Sequence, residues 1–177
     1  MTTGETMIPA IAEDGALFPI GKMAAHETGQ RHLAVSVFVF CGEDLLLQRR
    51  AAEKYHSGGQ WANTCCTHPH WGETAEACAH RRLREELGLT LALSSRGVVE
   101  CRAPVGRGLV EHEVVHVFEG RVERPILPED FDRAEVSELR WALPADLASE
   151  IATDPDAFTP WLRIYLERWS ELALTAA

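Results

Sequence analysis

The chain has 177 residues, of which 46% are hydrophobic, and a formal net charge of −10 with a pI near 5.2. This length and apolar content predict one domain over 1–177, with its core at about 32–170 and an N-terminal extension, 1–31, that carries Lys22 and His26. The acidic balance excludes a nucleic-acid or anionic-membrane surface, since either needs clustered positive charge. No apolar run approaches the roughly 20 residues of a membrane span, and no signal peptide is apparent. We expect a cytoplasmic protein, a monomer or weak dimer, that acts on a small molecule.

The first elements predicted along the chain are a β-hairpin and a helix. HLAVSVFVF over 32–40 is rich in β-branched and aromatic residues, and CGED then marks a turn into a second strand, LLLQRR. From Glu73 the apolar residues follow helical spacing, and Gly88 is a natural stop for that helix. One long helix is therefore expected directly after NTCCTHPHWG.

The second half of the chain mixes strands and helices. Strands are predicted near Val98–Arg102, at LVEHEVVHVFEG and at VSELRWAL, and Pro144 opens a short helix, PADLASEI. The last helix lies in FTPWLRIYLERWSEL, where Thr159 can cap it and Pro160 suits its first position. Its apolar stripe consists of Leu162, Tyr165, Leu166 and Trp169. No repeat or linker divides the chain.

Five cysteines are present, two of them adjacent in NTCCTHPHWGE. An odd number of cysteines in a reducing compartment argues against a disulfide framework, and the lack of a repeated C-x2-C pair argues against a zinc ribbon. Cys41, Cys78 and Cys101 are predicted to be small buried hydrophobic residues. The residues alone leave the role of Cys65 and Cys66 open.

The end of the long helix, RRLREELGL, carries adjacent carboxylates at Glu85 and Glu86. Helical spacing places Arg82 and Glu86 on one face. Carboxylates at a helix end that faces a loop can hold Mg²⁺, a hard cation that takes oxygen ligands and often a phosphate partner. A charge run is also typical of a solvated helix surface. Both interpretations stay open from the helix alone.

Histidines and acidic residues elsewhere are candidates for a second metal site. His26 and His32 lie ahead of the first predicted strand, and His68 follows the cysteine pair. Glu111 and Glu113 alternate along one strand, so both side chains project from the same face. Converging imidazoles and carboxylates suit a divalent transition ion better than Mg²⁺ alone. Each residue taken singly also fits a surface or edge-strand position.

The long helix resembles a Nudix box, G-x5-E-x7-R-E-U-x-E-E-x-G-U, in which U is aliphatic. The residues in register are Glu73, Arg81, Leu83, Glu85, Glu86, Gly88 and Leu89. Thr67 stands where the first Gly belongs, and Arg82 replaces a Glu that helps Nudix hydrolases to bind metal. The resemblance implies an α+β fold, a mixed β-sheet sandwiched by helices, more strongly than it implies hydrolysis.

A longer series of motifs resembles type I isopentenyl-diphosphate isomerase, a Nudix-fold family that interconverts isopentenyl and dimethylallyl diphosphate. In chain order the motifs are K-x3-H, H-L-A, R-R-A, N-x-x-C-x-H-P, R-x3-E-L-G, E-x-E-V and T-P-W, at 22–26, 32–34, 49–51, 63–69, 82–88, 111–114 and 159–161. The resemblance runs from about Phe18 to about Trp169, which is nearly the whole chain. This combination of motifs is highly specific.

Carried over position by position, the resemblance implies two metal sites and a diphosphate site. The Mn²⁺ or Zn²⁺ ligands it implies are His26, His32, His68, Glu111 and Glu113. Glu86 and the backbone carbonyl of Cys66 would hold a Mg²⁺ that bridges to the diphosphate. The charge-assisted donors to the diphosphate oxygens would be Lys22, Arg50 and Lys54.

The implied reaction explains why these residue types are needed. Moving a double bond by one carbon requires a proton added at one carbon and another removed from a neighbour, and the resemblance assigns these transfers to Cys66 and Glu113. The indole of Trp161 would stabilise a tertiary carbocation by cation–π attraction, in a pocket dry enough to protect it. Cys65 falls at a variable position and is predicted to pack in the core.

Two departures from the family concern the details of the site. The loop ETGQR between His26 and His32 is one residue shorter than usual, and Cys101 occupies a position where the family often carries tyrosine. We therefore expect the proton relay on the Glu113 side to use water or His112.

Two rival functions remain to be weighed. One is a Nudix hydrolase acting on a nucleoside diphosphate derivative, which Arg82 disfavours. The other is a non-catalytic Nudix-fold binding module, which would not need Cys66, Glu86, Glu113 and Trp161 together.

Overall fold

The computed structural model describes residues 5–125 and 127–174, and in them one mixed sheet of nine strands is combined with four α-helices. The strands are β1 (Met7–Ile11), β2 (Leu17–Gly21), β3 (His32–Cys41), β4 (Asp44–Arg50), β5 (Trp61–Ala62), β6 (Cys65–Thr67), β7 (Leu93–Gly106), β8 (Leu109–Arg121) and β9 (Val136–Ala142). The helices are α1 (Lys22–Thr28), α2 (Ala75–Leu87), α3 (Pro144–Thr153) and α4 (Pro160–Glu167). The predicted α+β class is confirmed.

Strand β3 is the centre of the sheet. It pairs in parallel with β8, from His32 opposite Glu113 to Phe40 opposite Arg121, and antiparallel with β1, β4 and β6. Because side chains alternate along a strand, β3 supplies both faces of the sheet. This central position brings the start of β3, the loop after β6 and the first half of β8 together.

The two faces of the sheet carry separate cores. Val35, Val37 and Val39 of β3 pack in one core with buried residues of α2. Phe38 and Phe40, from alternate positions of the same strand, pack in the other core with buried residues of α3 and α4. The sheet is thus sandwiched by helices, as predicted.

Helix α2 begins and ends where its sequence indicates. The Thr74 hydroxyl accepts a hydrogen bond from the Ala77 amide at 3.2 Å, as an N-cap does. Gly88 ends the helix with φ +66°, and a Cβ there would lie 2.9 Å from the Asp130 carbonyl oxygen. Glycine is therefore required both for the turn and for the close approach. The Glu73 carboxylate, just before the cap, accepts two 2.7 Å hydrogen bonds from Arg81.

Several elements were not predicted from the sequence. The hairpin β1–β2 places Pro9 directly opposite Pro19, and proline is a poor signal for a strand because it cannot donate to the sheet. Helix α1, with seven residues, is too short to show a clear period. Strand β7 is longer than the Val98–Arg102 segment predicted for it.

The predicted burial of the cysteines needs one correction. Cys78 and Cys101 are buried, whereas Cys41 is half-buried because it ends β3 at the turn into β4. All five cysteines are free. Among the described residues, no helix has the length and apolar character that a bilayer crossing demands.

Candidate active site

Four side chains from four parts of the fold converge in a buried cluster. His26 lies on α1, His32 begins β3, His68 follows β6 and Glu111 lies on β8. All four are buried, and one ligand atom from each lies within 4.8 Å of the others. The shortest of these contacts joins His26 Nε2 to Glu111 Oε2 at 3.1 Å. The shorter loop before β3 therefore does not keep His26 out of the cluster.

The imidazoles of this cluster are oriented by the backbone. His26 Nδ1 donates to the Lys22 carbonyl at 2.6 Å, and His32 Nδ1 donates to the Gln30 carbonyl at 2.7 Å. In its neutral form each ring therefore presents its Nε2 lone pair to the cluster, which is the arrangement that metal-ligating histidines adopt. Both Nε2 atoms and Glu111 Oε2 are buried without a hydrogen-bond partner. Buried nitrogen and oxygen lone pairs that lack a hydrogen-bond partner in this way are suited to binding a divalent cation.

Electrostatics give Glu111 and Glu113 of β8 opposite pKa shifts. Burial alone would raise the pKa of Glu111, but neighbouring imidazoles, led by His26 and His32, hold that pKa well below its usual value. Burial, and then the nearby Glu111 carboxylate, raise the pKa of Glu113 well above its usual value. Burial also lowers the pKa of His68, which keeps its ring neutral. These opposite shifts favour the anionic form of Glu111 and the protonated form of Glu113.

Glu113 lies at the edge of the cluster. Its Oε1 is 2.9 Å from His68 Nε2 and 3.9 Å from His32 Nε2. Cys101 lies directly opposite Glu113 on β7. Cys101 is the residue that was predicted to stand where the family often carries tyrosine. His112 lies on the other face of β8, where its Nδ1 is 3.2 Å from the Gly29 carbonyl oxygen and its Nε2 is 3.4 Å from Glu100. The suggested proton relay through His112 is therefore wrong.

The adjacent thiols point to opposite faces of the sheet. Cys65 is fully buried in the core beneath α2, as predicted for a packing residue. The Cys66 thiol faces the other side, where it donates to Asn63 Oδ1 at 2.9 Å and lies 3.1 Å from Ser36 Oγ. Burial raises the pKa of Cys66, so the group is a thiol at neutral pH. Only one of the two thiols can therefore take part in chemistry at the site.

One cavity joins the predicted catalytic and diphosphate-binding residues. Its walls include Cys66, Glu113, Trp161, Lys22, Arg50 and Lys54. The Arg50 guanidinium lies 5.2 Å from the centre of the Trp161 ring, and the Lys22 ammonium lies 5.1 Å from the centre of the Tyr55 ring. Burial, and then the nearby Lys54, lower the pKa of Lys22 to about 8. Three cationic groups therefore face a cavity that also holds a thiol and an indole.

Glu86 belongs to the same cavity but is already hydrogen-bonded. Its Oε1 accepts from Arg82 at 2.6 Å, and its Oε2 accepts from Gln48 at 3.1 Å. Each carboxylate oxygen retains a second lone pair, so these contacts leave Glu86 able to bind a cation. Arg82 also contacts Glu85 at 3.1 Å.

Comparison with known proteins agrees with this geometry. A family model for the NUDIX domain matches residues 30–162. A Cereibacter sphaeroides protein named isopentenyl-diphosphate Delta-isomerase is 55% identical over 168 residues, which cover 93% of each chain. The chain belongs to the isopentenyl-diphosphate Delta-isomerase family. The Rhodobacter capsulatus isomerase is 51% identical over 169 residues, which cover 95% of each chain.

Solved structures share the fold of this isomerase family member. A Deinococcus radiodurans protein superimposes with a TM-score of 0.74 at 21% identity, covering 92% of this chain and 98% of that one. A MutT NUDIX hydrolase of Burkholderia pseudomallei superimposes with a TM-score of 0.60 at 24% identity, covering 78% of this chain and 97% of that one. At such identities the likeness shows the fold alone, and it confirms the Nudix-like fold.

Residues of the isomerase site that the motifs missed include His56, Glu135 and Tyr55. His56 Nε2 lies 2.8 Å from Glu111 Oε1, the oxygen that faces away from His26. The contact is close but is not aligned as a hydrogen bond. The His56 ring also meets Trp161 edge-on, with 5.7 Å between the centroids. Glu135 forms an ion pair with Lys54. All three lie outside regular elements, where no sequence period reveals them.

Proposed function

We propose that this chain interconverts isopentenyl and dimethylallyl diphosphate in isoprenoid biosynthesis, by adding a proton to the alkene and removing another. One observation carries the proposal: a thiol, a carboxyl of raised pKa and an indole line one cavity with the cationic side chains of Lys22, Arg50 and Lys54. The relatives named isopentenyl-diphosphate Delta-isomerase support it over nearly the whole chain. No other described cavity combines these groups.

The cationic side chains set the direction in which the substrate binds. Lys22, Arg50 and Lys54 donate to the diphosphate oxygens, because charge-assisted hydrogen bonds are strong and the substrate is highly anionic. The hydrocarbon end then extends toward Trp161 and Cys66. This orientation places the double bond between the groups that exchange protons.

Two groups of unlike character exchange protons with the substrate. Cys66 donates a proton to the terminal alkene carbon, since its raised pKa keeps it in the thiol form. Glu113, which enters the step as the carboxylate, takes a proton from the methylene carbon on the other side of the cationic carbon, and burial then favours its protonated form. The Trp161 face stabilises the tertiary carbocation formed between these transfers, without a lone pair to capture it. Excluding water protects the same carbocation.

The metal sites follow from the side chains that are present. We assign Mn²⁺ or Zn²⁺ to His26, His32, His68 and Glu111, with Glu113 at the edge of that set. We assign Mg²⁺ to Glu86 and the backbone carbonyl of Cys66, beside the diphosphate. When bound at these residues, the ions would supply positive charge beside the diphosphate and the carboxylates. Proton transfer belongs to Cys66 and Glu113.

Hydrolysis of a nucleoside diphosphate derivative is disfavoured by Arg82. Its guanidinium contacts both Glu85 and Glu86, so a fixed positive charge occupies a position where a Nudix hydrolase needs a metal-binding carboxylate. We also propose a cytoplasmic location, which five free cysteines support. A monomer or weak dimer stays a prediction.

The direct test is incubation of the purified protein with isopentenyl diphosphate and a divalent metal. We expect dimethylallyl diphosphate to accumulate with no net hydrolysis, because Arg82 stands where a Nudix hydrolase needs a metal-binding carboxylate. Chromatography of the organic diphosphates and a phosphate assay measure the two outcomes together. Release of inorganic phosphate or pyrophosphate as the main product would contradict the proposal.

A further inference from the structure

A buried chain of hydrogen bonds lies behind the Cys66 thiol. Ser36 Oγ is 3.1 Å from Cys66 Sγ, and the Tyr165 hydroxyl is 2.7 Å from Ser36 Oγ. Ser36 lies directly opposite Cys66 in the pairing of β3 with β6, so both side chains share one face of the sheet. Ser36 and Tyr165 are each 1% exposed. These hydrogen bonds therefore connect the Cys66 thiol to the protein interior.

The amide of Asn63 gives this chain a single direction. Its Nδ2 donates to the carbonyls of Val37 at 3.1 Å and Cys65 at 3.4 Å, which uses both amide hydrogens. Its Oδ1 therefore accepts from the Cys66 thiol at 2.9 Å. With the thiol hydrogen directed at Asn63, the Ser36 hydroxyl donates to the sulfur, and its oxygen accepts from Tyr165. The donors run from Tyr165 to Ser36, then to Cys66 and Asn63.

The Tyr165 hydroxyl has no packing role of its own. The ring packs against Phe38 with 5.4 Å between the centroids, and phenylalanine would fill the same space. Trp161 lies one turn earlier on α4, so the same helix presents the indole to the cavity and the phenol to Ser36. A buried hydroxyl directed at the bridging serine is better explained by its effect on the thiol.

We propose that Ser36 and Tyr165 are positioning residues for Cys66, holding the sulfur toward the alkene and donating to it once its proton has left. The inference rests on the proposed role of Cys66. In that step the S–H bond breaks, a C–H bond forms and the sulfur keeps the electron pair as a thiolate. Asn63 has no hydrogen left for that thiolate, so Ser36 is the hydroxyl that stabilises it, polarised by Tyr165. No proton moves along this chain of hydrogen bonds, and exchange with solvent restores the Cys66 thiol.

Tyr165→Phe and Ser36→Ala test the chain of hydrogen bonds. Removing one hydrogen bond is expected to lower kcat by about three- to tenfold in Tyr165→Phe, and by about tenfold or more in Ser36→Ala. KM should change by less than about twofold, because neither residue lies on the diphosphate. Ser36→Thr keeps a hydroxyl and should recover most of the lost kcat. Tyr165→Phe carries the test if Ser36→Ala does not fold.

Thr64→Val is the matched control for losing a buried hydroxyl. Thr64 Oγ1 donates to the Leu46 carbonyl at 2.6 Å and accepts from the Val39 amide at 2.9 Å, and neither hydrogen bond involves Cys66. Its replacement should lower the melting temperature at least as much as Tyr165→Phe does, with kcat unchanged. A fall in kcat that merely follows thermal stability across all these variants would overturn the proposal.

A double-mutant cycle separates this inference from the role of Cys66. If the tyrosine acts through the thiol, Tyr165→Phe should have little effect on kcat in a Cys66→Ala background. Wild-type activity in Cys66→Ala alone would refute the catalytic role of the thiol itself. If Cys66→Ala is impaired and Tyr165→Phe still lowers its kcat as much as it lowers that of the wild type, Cys66 remains catalytic. The same result would overturn the positioning role of Tyr165. A Tyr165→Phe enzyme with wild-type kcat would also overturn the positioning role.

Discussion

Cys66→Ser is expected to lower kcat by about 10²–10⁴-fold, the range typical of a general acid–base group, while Cys65→Ser lowers it only a few-fold. A serine hydroxyl is far less acidic than a thiol, so it protonates the alkene poorly. Cys65 lies on the opposite face of the sheet, fully buried in the core beneath α2. Its replacement affects packing and stability rather than proton transfer.

The two thiol variants are compared by their kinetics, and each variant is the control for the other. Steady-state assays give kcat, circular dichroism verifies folding, and metal analysis verifies that both variants bind ions like the wild type. Equal, mild losses in both variants would reduce the cysteine pair to packing. A collapse of activity in Cys65→Ser alone would mean that the wrong thiol has been assigned.

Protein purified without chelator is expected to hold about one transition-type divalent ion per chain, and His68→Ala to lose it. His68 supplies a neutral buried imidazole to a cluster whose other members converge on the same point. Removing it leaves three of the four ligands and an uncompensated Glu111 carboxylate. His56 contacts the far oxygen of that carboxylate, so His56→Phe should weaken metal affinity by about 10–100-fold, as outer-shell changes do.

Elemental analysis and competition with a chelator measure these effects without an activity assay. His116→Ala is the matched control, because it removes an imidazole from the same strand as Glu111 but from outside the cluster. It should bind metal like the wild type. A metal content near zero in fully active wild-type protein would mean that the cluster is structural.

The sequence was most informative where local chemistry and tertiary role agree. Helix α2 could be located because the apolar period that starts after Glu73 and the glycine at position 88 indicate the same helix. The ligand motifs could be recognised in chain order, but their convergence depends on the parallel pairing of β3 with β8, which no local pattern states. The hairpin β1–β2 was missed because its prolines argue against strands.

The residues that contact the site from outside its motifs could not be predicted from the sequence, for a different reason. Tyr165 fits an apolar stripe on α4 as well as it fits a functional contact, and the stripe was the simpler interpretation. Ser36 is the only polar residue after His32 in the run HLAVSVFVF, and this is the one signal that could have indicated a buried hydrogen bond. His56 lies outside the regular elements, where its ring contacts Glu111 and Trp161. Such residues are identified by what they touch.

The central claim is that the alkene is protonated from a side chain that exchanges with solvent, and isomerisation in D₂O tests it most directly. With isopentenyl diphosphate and a divalent metal, early product is expected to be dimethylallyl diphosphate carrying one deuterium in a methyl group. The deuterium arrives because the Cys66 thiol exchanges with solvent before each turnover. Mass spectrometry and deuterium NMR of the product measure its amount and position. Product formed without solvent deuterium would contradict the account, since it would require an internal hydrogen shift that bypasses Cys66 and Glu113.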